Sequence, residues 1–434
     1  MKHSINKIVA LSLFSSFTLN AYTSDESKKM NIVLIMADDF GYECVSANGG
    51  ESYQTPNIDR LAERGMKFNH CYANPLSTPT RVQLMTGKYN VRNYTAFAKL
   101  EREEVTFGNI LKNAGYATCI AGKWQLGKEF DSPQHFGFEQ SCLWQQAQGA
   151  YDENRNDSRY ANPIMEYNGD RKEYTTGEFG PDIACNFLLE FIRENKERPF
   201  LAYYPMILTH CPFVATPDSQ GWKAERSETY KGDARYFSDM VEYMDKLVGK
   251  IIDEIDVLGL TDKTLIIFTG DNGTDQPVVS FLNGKSYPGG KGKTIDSGIH
   301  VPLIVSHPNI KKGSVNNNLI DFTDFLPTLC DAIGIAAPAN EDIDGISFYP
   351  QLKGDNRNIR KWTYCWFAPR DVDNKKAKVF AREYRYKLYR SGEFYDIETD
   401  FEEKNPIQFS SLTEEQKHIY ILLQEAINKY EDVR

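Results

Sequence analysis

The chain has 434 residues, and its 50 lysine and arginine residues are outnumbered by 60 aspartate and glutamate residues, so the formal net charge is -10. An acidic protein is a poor partner for nucleic acid, because phosphate groups bind to basic faces. The hydrophobic content of 41% and the charged content of 25% are those of a globular protein and exclude a disordered chain.

Residues 1–21 are predicted to be a secretory signal peptide. Lys2, His3 and Lys7 form a positively charged start, an apolar run begins at Ile8, and Ala21 suits a cleavage site. The apolar run is too short to span a membrane comfortably. We therefore expect an exported protein without a membrane anchor.

Apolar runs alternate with helical patterns through most of the chain. Five short runs are predicted to be strands that are covered on both faces: 31–36, 116–121, 199–204, 264–268 and 301–306. Residues 234–258, between the strands at 199–204 and 264–268, carry one apolar stripe with a three- and four-residue spacing, which predicts a long helix. This alternation indicates an α/β fold with a large, mostly parallel sheet between two layers of helices.

The pattern changes near residue 340. Short β-like runs follow at 362–367, 379–383, 386–389 and 393–396, and an amphipathic helix is predicted at 413–430. We therefore predict an α/β domain at 22–340 and a C-terminal α+β subdomain at 341–434, in which one helix packs on a small antiparallel sheet. Residues 145–180 are polar and show no period, so they are expected to form a long surface insertion that contributes to specificity.

Oxygen ligands follow two of the predicted strands. Asp38 and Asp39 come after the first strand, and Asp271 and Asn272 come after the strand at 264–268. Because ligands bind at the carboxyl ends of parallel strands, we expect these side chains to converge. Three carboxylates need a cation to offset their repulsion, and hard oxygen ligands favour Ca2+ or Mg2+ over Zn2+. Taken alone, either pair is also typical of turns and helix caps.

A possible anion site precedes a predicted helix. Pro79 suits the first helical position and Thr78 the N-cap, which would place Ser77 just before the helix. Arg81 lies on the first turn and can reach back to the same place. A hydroxyl, a helix N-terminus and an arginine suit a tetrahedral oxyanion. From composition alone, an ordinary capped helix is the preferred interpretation.

The order of motifs resembles that of the type I sulfatases, in the alkaline phosphatase superfamily. The motifs are Asp-Asp at 38–39, Thr-Pro-Asn-Ile-Asp-Arg-Leu-Ala at 55–62, Ser-x-Pro-x-Arg at 77–81 with Thr-Gly-Lys-Tyr at 86–89, Gly-Lys-Trp-Gln-Leu-Gly at 122–127, Thr-His-Cys-Pro-Phe at 209–213, Gly-Asp-Asn-Gly at 270–273, Gly-Lys-Gly at 290–292 with Ser-Gly-Ile-His-Val-Pro at 297–302, and Phe-Tyr-Asp-Ile-Glu-Thr-Asp at 394–400. They span about residues 31–407. The resemblance implies that 22–340 is the catalytic domain.

The resemblance implies a role for Ser77. In the family the serine or cysteine at this position is oxidised to formylglycine, so a sulfatase-maturating enzyme would act on Ser77, and serine implies a bacterial enzyme of the radical type. The hydrated aldehyde attacks sulfur and later expels sulfate by collapsing back to the aldehyde. An ordinary serine would remain as a stable ester.

The resemblance also assigns roles to the other motif residues. Asp38, Asp39, Asp271 and Asn272 would hold Ca2+, with Mg2+ less suited. Three cationic side chains would serve the anion: Arg81 would steady the formylglycine, while Lys123 and Lys291 would bind sulfate oxygens. His210 would hydrogen-bond the bridging oxygen or protonate the leaving alcohol, since a histidine near its ordinary pKa suits that work. The expected substrate is a sulfated saccharide.

One position departs from the family pattern. Gln125 stands where the family has histidine. Glutamine can hydrogen-bond a sulfate oxygen but cannot transfer a proton. Two alternatives to a carbohydrate sulfatase stay open. One is a phosphodiesterase or phosphonate hydrolase of the same superfamily that uses Ser77 or a modified form of it, and the other is a relative that binds sulfated glycans and is catalytically impaired through Gln125.

Overall fold

The structure is a computed structural model that describes residues 29–144, 151–339, 342–370 and 372–434. The predicted signal peptide at 1–21 and the predicted domain boundary between residues 340 and 341 lie outside the described residues. Among the helices that the structure describes, none combines the length and the apolar character needed to cross a bilayer.

Strands and helices alternate along the described chain. The strands are β1 (Asn31–Ala37), β2 (Met66–Tyr72), β3 (Ala117–Gly122), β4 (Gln140–Trp144), β5 (Ile164–Tyr167), β6 (Asp170–Glu173), β7 (Phe200–Pro205), β8 (Thr264–Gly270), β9 (Val279–Leu282), β10 (Lys285–Pro288), β11 (Leu303–Ser306), β12 (Ser314–Asp321), β13 (Thr363–Phe367), β14 (Lys378–Arg382), β15 (Tyr386–Tyr389) and β16 (Phe394–Asp396). The helices are α1 (Pro56–Arg64), α2 (Ser77–Thr86), α3 (Asn90–Asn93), α4 (Phe107–Asn113), α5 (Ser132–His135), α6 (Gly180–Glu194), α7 (Phe237–Val257), α8 (Asp296–Ile299), α9 (Phe325–Ala332), α10 (Tyr349–Leu352) and α11 (Glu414–Asn428).

A ten-stranded mixed sheet forms the centre of the fold. Its strand order is β12-β2-β11-β8-β1-β7-β3-β4-β5-β6. The five middle strands β8, β1, β7, β3 and β4 are parallel to their neighbours in this group. Antiparallel pairs occur on either side, where β11 joins β8 and β5 joins β4. The predicted mostly parallel sheet is confirmed.

Both faces of the sheet are covered, as the side chains of β1 illustrate. Ile32, Leu34 and Met36 belong to one buried hydrophobic cluster, whereas Val33 and Ile35 belong to another on the opposite face. Successive side chains of a strand point to opposite faces, so an uninterrupted apolar run is what two covered faces require. Helices α1, α6 and α7 contribute to the second cluster, and α2, α4 and α9 contribute to the first.

The predicted long helix is also confirmed, with a short 3-10 turn before it. The α-helix α7 buries the apolar stripe that includes Met240, Leu247 and Ile251. It ends before Gly259, whose φ of 68° is the left-handed conformation that commonly terminates helices.

The C-terminal region is the predicted antiparallel sheet with one helix. Strands β13 to β16 pair in sequence order. Thr413 caps α11 through a capping box with Gln416, and the helix buries Leu423 and Ile427. These two side chains and those of Val379 and Leu388 belong to the same hydrophobic cluster as one face of the large sheet. The C-terminal sheet therefore shares its core with the α/β layer.

The insertion predicted at 145–180 contains regular secondary structure in its described part. Residues 145–150 lie outside the described part, but β5 and β6 form a hairpin that extends the large sheet. Asp157 and Arg159 are nearly fully buried. The polar composition hid this arrangement because the buried polar side chains are paired with each other and not with solvent.

Candidate active site

Four neighbouring parallel strands end at the same edge of the sheet, and each is followed by a predicted site residue. Asp38 and Asp39 follow β1, Asp271 and Asn272 follow β8, Lys123 follows β3, and His210 lies in the loop after β7. Ser77 comes from the start of α2, after β2. The topology therefore brings together at one place residues that are far apart in the sequence.

The predicted cation ligands form one hydrogen-bonded group. The Asp39 backbone N–H donates to Asp271 Oδ1 over 3.0 Å, and the Asn272 amide donates to Asp39 Oδ1 over 2.9 Å. Asp39 holds a φ of 59°, which turns the chain sharply directly after β1. The side chains of Asp38, Asp39, Asp271 and Asn272 are at most 1% exposed.

Ser77 lies at the centre of this group. Its Oγ is 3.2 Å from Asp38 Oδ1, 3.2 Å from Asn272 Oδ1 and 3.2 Å from Lys123 Nζ. The predicted place of Ser77 before the helix is wrong by a small margin: α2 begins at Ser77, and Leu76 occupies the N-cap. The hydroxyl therefore belongs to the first turn, where backbone N–H groups lack helical partners.

Three cationic side chains neutralise the three carboxylates. Lys123 Nζ lies 2.8 Å and 2.7 Å from the two oxygens of Asp38, and Lys291 Nζ lies 2.5 Å from Asp39 Oδ2. Arg81 Nη2 donates to Asp271 Oδ2 over 2.9 Å, and Arg81 Nη1 donates to the Lys123 carbonyl over 3.1 Å. All three predicted anion-binding residues thus lie in the site.

Burial governs the protonation of the Asp38–Lys123 pair. Burial raises the pKa of Asp38 to about 7, more than the nearby Lys123 ammonium lowers it. Burial likewise lowers the pKa of Lys123. For Lys291 burial opposes the charge, but the carboxylates of Asp39 and Asp38 outweigh it and raise the pKa. A carboxylate whose charge is this poorly solvated is stabilised by an additional cation.

The donor set fits a hard divalent cation. Oxygen atoms of Asp38 and Asp39 and one ring nitrogen of His210 lie within 4.8 Å of one another. We assign the cation to the oxygen ligands alone, as the sequence predicted, which leaves His210 beside the cation site as a neighbour. Asp271 and Asn272 lie beside this group, and the Asn272 Oδ1 faces the same space as Ser77 Oγ. Oxygen atoms dominate the group, which suits Ca2+ or Mg2+.

His210 faces the cluster from the β7 side. Its Nε2 is 3.8 Å from Asp39 Oδ2. Burial lowers the pKa of His210 well below its ordinary value, and the neighbouring Lys291, Arg159 and Lys123 lower it further. The expectation of a histidine near its ordinary pKa is therefore wrong, because the ring is buried among cations. A neutral ring can donate a hydrogen bond, but it is not a protonated acid at neutral pH.

Gln125 stands apart from the other predicted residues. It lies two positions after Lys123 with a φ of 59°, and its Oε1 is buried without a hydrogen-bond partner. Within the described ranges it makes no hydrogen bond to another predicted site residue. Its predicted role in substrate binding stays a prediction.

Comparison with known protein families explains this arrangement. The family model described as Sulfatase matches residues 30–335, which is most of the chain. The chain belongs to the sulfatase family. A second model, described as N-sulphoglucosamine sulphohydrolase, C-terminal, matches residues 291–432. The buried cluster around Ser77 lies within the residues that the first model matches.

Curated relatives of this sulfatase-family chain include mammalian and bacterial enzymes. N-acetylgalactosamine-6-sulfatase of Mus musculus is 32% identical over 365 residues, which cover 75% of this chain and 66% of the relative. N-acetylglucosamine-6-O-sulfatase of Bacteroides thetaiotaomicron is 25% identical over 513 residues, covering 94% of this chain and 88% of the relative. The chain thus matches just under two thirds of the length of the first relative.

Solved structures share the fold of this sulfatase-family chain. One was determined in complex with its substrate D-glucosamine-2-N,6-O-disulfate; it has a TM-score of 0.73 and 23% identity, and it covers 93% of this chain and 99% of its own. The phosphonate monoester hydrolase of Agrobacterium radiobacter has a TM-score of 0.69 and 20% identity, and it covers 93% of this chain and 95% of its own. Both confirm the α/β architecture with a small C-terminal sheet.

One residue of the site, Arg159, was not predicted from any sequence pattern. Arg159, from the insertion, contacts His210, pairs with Asp157 and lies under the ring of Trp144. The spacing of Asp157 and Arg159 is the only local signal, and such a pair is common in loops.

Proposed function

We propose that this protein hydrolyses sulfate esters of carbohydrates, with a formylglycine made from Ser77 and a bound Ca2+. The position of Ser77 Oγ supports this most directly. It lies 3.2 Å from an oxygen of each predicted ligand pair and 3.2 Å from the Lys123 ammonium. A nucleophile at this point adjoins both the cation ligands and the Lys123 ammonium, which can donate a hydrogen bond to the sulfate.

Asp38, Asp39, Asp271 and Asn272 are the proposed Ca2+ ligands. Their carboxylates carry a formal charge that Lys123, Lys291 and Arg81 balance in the structure. A divalent cation would make the cluster net positive, which suits an anionic ester. When bound, Ca2+ would supply a positive charge that polarises the sulfate and the nucleophilic oxygen.

The two lysines are the proposed hydrogen-bond donors to the sulfate oxygens. Lys123 and Lys291 end in ammonium groups on flexible stems, so they can leave the carboxylates for sulfate oxygens when a cation replaces them. The Arg81 guanidinium is held in place by its hydrogen bonds to Asp271 and to the Lys123 carbonyl, and it thereby links the loops that carry these two residues. Arg81 and Lys123 are nearly fully buried, which limits the access of water to the sulfate and strengthens these contacts.

A formylglycine at position 77 would supply an oxygen nucleophile that is regenerated after each cycle. An unmodified serine would not be regenerated, because it would remain as a stable sulfate ester. His210 Nε2 lies 3.8 Å from Asp39 Oδ2 in the same cluster, and an N–H at this nitrogen can donate to the bridging oxygen as the alcohol leaves. Gln125 has no proton-transferring group, so we propose that it serves only as a hydrogen-bonding residue at the edge of the site.

A sulfated carbohydrate is the proposed substrate class. Support comes from the names of the relatives, which act on N-acetylgalactosamine or N-acetylglucosamine sulfates. The signal-peptide pattern at 1–21 supports export to the periplasm or the medium, where a bacterium meets such polymers.

Mass spectrometry of the Ser77 peptide tests the mechanism. Protein from a host that matures sulfatases should give a peptide lighter than the serine form by two hydrogen atoms. The same protein should release sulfate from a panel of sulfated sugars, and Ser77→Ala should abolish release. An unmodified serine in a host that matures other sulfatases would contradict the mechanism.

The same assays separate the alternatives. Phosphate release from phosphonate or phosphodiester substrates that outpaces sulfate release would favour the phosphoryl alternative, whose fold is the same. Tight binding of sulfated sugar without release, together with a sharp gain of turnover in Gln125→His, would favour the impaired relative. Chelation followed by Ca2+ or Mg2+ addition identifies the metal.

A further inference from the structure

Arg159 is a buried arginine from the insertion that contacts the active-site histidine. It is 3% exposed, and its partner Asp157 is 2% exposed. Arg159 Nε lies 3.0 Å and 2.9 Å from the two oxygens of Asp157, and Nη2 lies 2.9 Å from Asp157 Oδ2. Trp144 covers the guanidinium, with 4.4 Å between the guanidinium carbon and the ring centroid. The guanidinium is thus held in one orientation by its planar fork.

The remaining nitrogen of Arg159 points at the loop that carries His210. Nη1 lies 2.5 Å from His210 Nδ1 and 2.5 Å from the Cys211 carbonyl oxygen. Nη1 carries two hydrogens and can serve both acceptors. The Tyr160 hydroxyl donates to the His210 carbonyl, so the backbone of this loop is also held by the insertion.

This contact discriminates between the two tautomers of the His210 ring. An arginine can only donate, so the contact is a hydrogen bond only when Nδ1 accepts and the proton of the neutral ring lies on Nε2. In the other tautomer, Nδ1–H would donate to the Cys211 carbonyl, which is 2.5 Å away. The ring N–H and the guanidinium N–H would then oppose each other over 2.5 Å. The geometry therefore favours the Nε2–H tautomer.

We propose that Arg159 is a positioning residue that holds His210 in the Nε2–H tautomer, so that an N–H group faces the reacting oxygen. Nε2 is the ring nitrogen on the Asp39 side, toward the cluster around Ser77. This inference rests on the proposed function for the identity of that oxygen, which is the bridging oxygen of the sulfate ester. The insertion then acts in the reaction and not only in substrate choice.

Nitrogen NMR reads the tautomer directly. In full-length mature protein labelled with 15N-histidine, the His210 signals are assigned by their loss in His210→Gln. We expect a protonated Nε2 and an unprotonated Nδ1 in the wild type, and a mixture of tautomers in Arg159→Met. A wild type with its proton on Nδ1, or an unchanged spectrum in Arg159→Met, would overturn the proposal.

The double variant Asp157→Asn/Arg159→Met guards against misfolding, because it removes both charges together and leaves no buried carboxylate unpaired. Arg155→Met is the matched control: Arg155 is exposed in the same insertion, and its replacement should leave the His210 signals unchanged.

Kinetics measure the consequence for the leaving oxygen. Loss of one well-placed donor costs about 10²–10³-fold in turnover, and we expect the double variant to lose about 10²-fold on a sugar sulfate. It should lose little on 4-nitrophenyl sulfate, whose leaving group needs no donor. Equal losses on both substrates would indicate a merely structural role. A wild type that releases no sulfate from any sugar would count against the proposed function, while the nitrogen signals would still decide the tautomer.

Discussion

Buried ion pairs occur both in the active-site cluster and beside the C-terminal sheet, and the two regions use them differently. Beside the sheet, Arg360 Nε donates to Asp324 Oδ2 over 2.9 Å, and the guanidinium also contacts Tyr89 and Thr323. Asp324 accepts further bonds from the Ile346 and Asp321 backbone N–H groups. Each charge there is held by several fixed partners.

The active-site cluster is less completely paired. Lys123 and Lys291 are point charges on flexible stems, and Arg81 Nε is buried without a hydrogen-bond partner. Asp38 carries a pKa raised to about 7 by burial. Charges that can exchange partners suit the binding of a cation and an anion, whereas arginine forks with several fixed partners suit holding the chain in place. The same residue types are thus suited to binding in one place and to structure in the other.

Arg360→Met gives the largest expected effect and tests the structural side of this comparison. Removal of one partner from a buried pair destabilises a protein by about 3–5 kcal/mol, because the other charge stays buried and unpaired. Urea unfolding should show this loss, and Ca2+ should not restore it.

Arg357→Met is the control for this variant. Arg357 is 90% exposed and pairs with Asp355 at the surface, so its loss should change the free energy of unfolding by less than about 0.5 kcal/mol. Equal losses for the two variants would contradict the distinction.

Lys123→Met tests the active-site cluster, where the charges can exchange partners. We expect turnover of a sulfated sugar to fall about 10²–10³-fold, since one donor to the sulfate is lost. The free energy of unfolding should fall in chelator, where Asp38 loses its partner, and recover when Ca2+ is added.

Lys128→Met is the matched control, because Lys128 is exposed five residues further along the same loop. A stability loss in Lys123→Met that Ca2+ does not reverse would place Lys123 with the structural pairs.

Glu43→Gln extends the comparison to a third case, because Glu43 is a buried carboxyl group that has no cationic partner in the described structure. Burial raises the pKa of Glu43 to about 7, although the Thr274 hydroxyl bond lowers it. Because folding raises this pKa, the contribution of Glu43 to the free energy of unfolding is fully present below pH 4.5 and is lost as the pH rises through 7. The variant should therefore be more stable than the wild type at pH 8, by about 1–3 kcal/mol.

Urea unfolding at pH 4.5 and pH 8 checks this sign. The difference between Glu43→Gln and the wild type should nearly vanish at pH 4.5. Glu63→Gln, at an exposed position of α1, should behave like the wild type at both values. A difference of the same size at both pH values would show that the carboxyl charge is not its cause.

The sequence was a good guide wherever local pattern and topology agreed. The run at β1 predicted a strand with two covered faces, and the oxygen ligands after β1 and β8 lie together because these strands are parallel neighbours. The residues that depend on long-range packing could not be predicted. Arg159 reaches His210 across 51 positions, and the lowered pKa of His210 depends first on burial and then on cations from three other segments.

The burial of α2 has a consequence for the order of events in biosynthesis. All ten residues of this helix are buried, so an enzyme that modifies Ser77 must reach it before the helix packs. Asn272, which contacts the Ser77 hydroxyl, lies 195 positions later. At ordinary rates of synthesis the ribosome needs roughly 10–40 s to reach it. During that interval the contact that encloses Ser77 cannot yet form, and the serine stays open to a visiting enzyme.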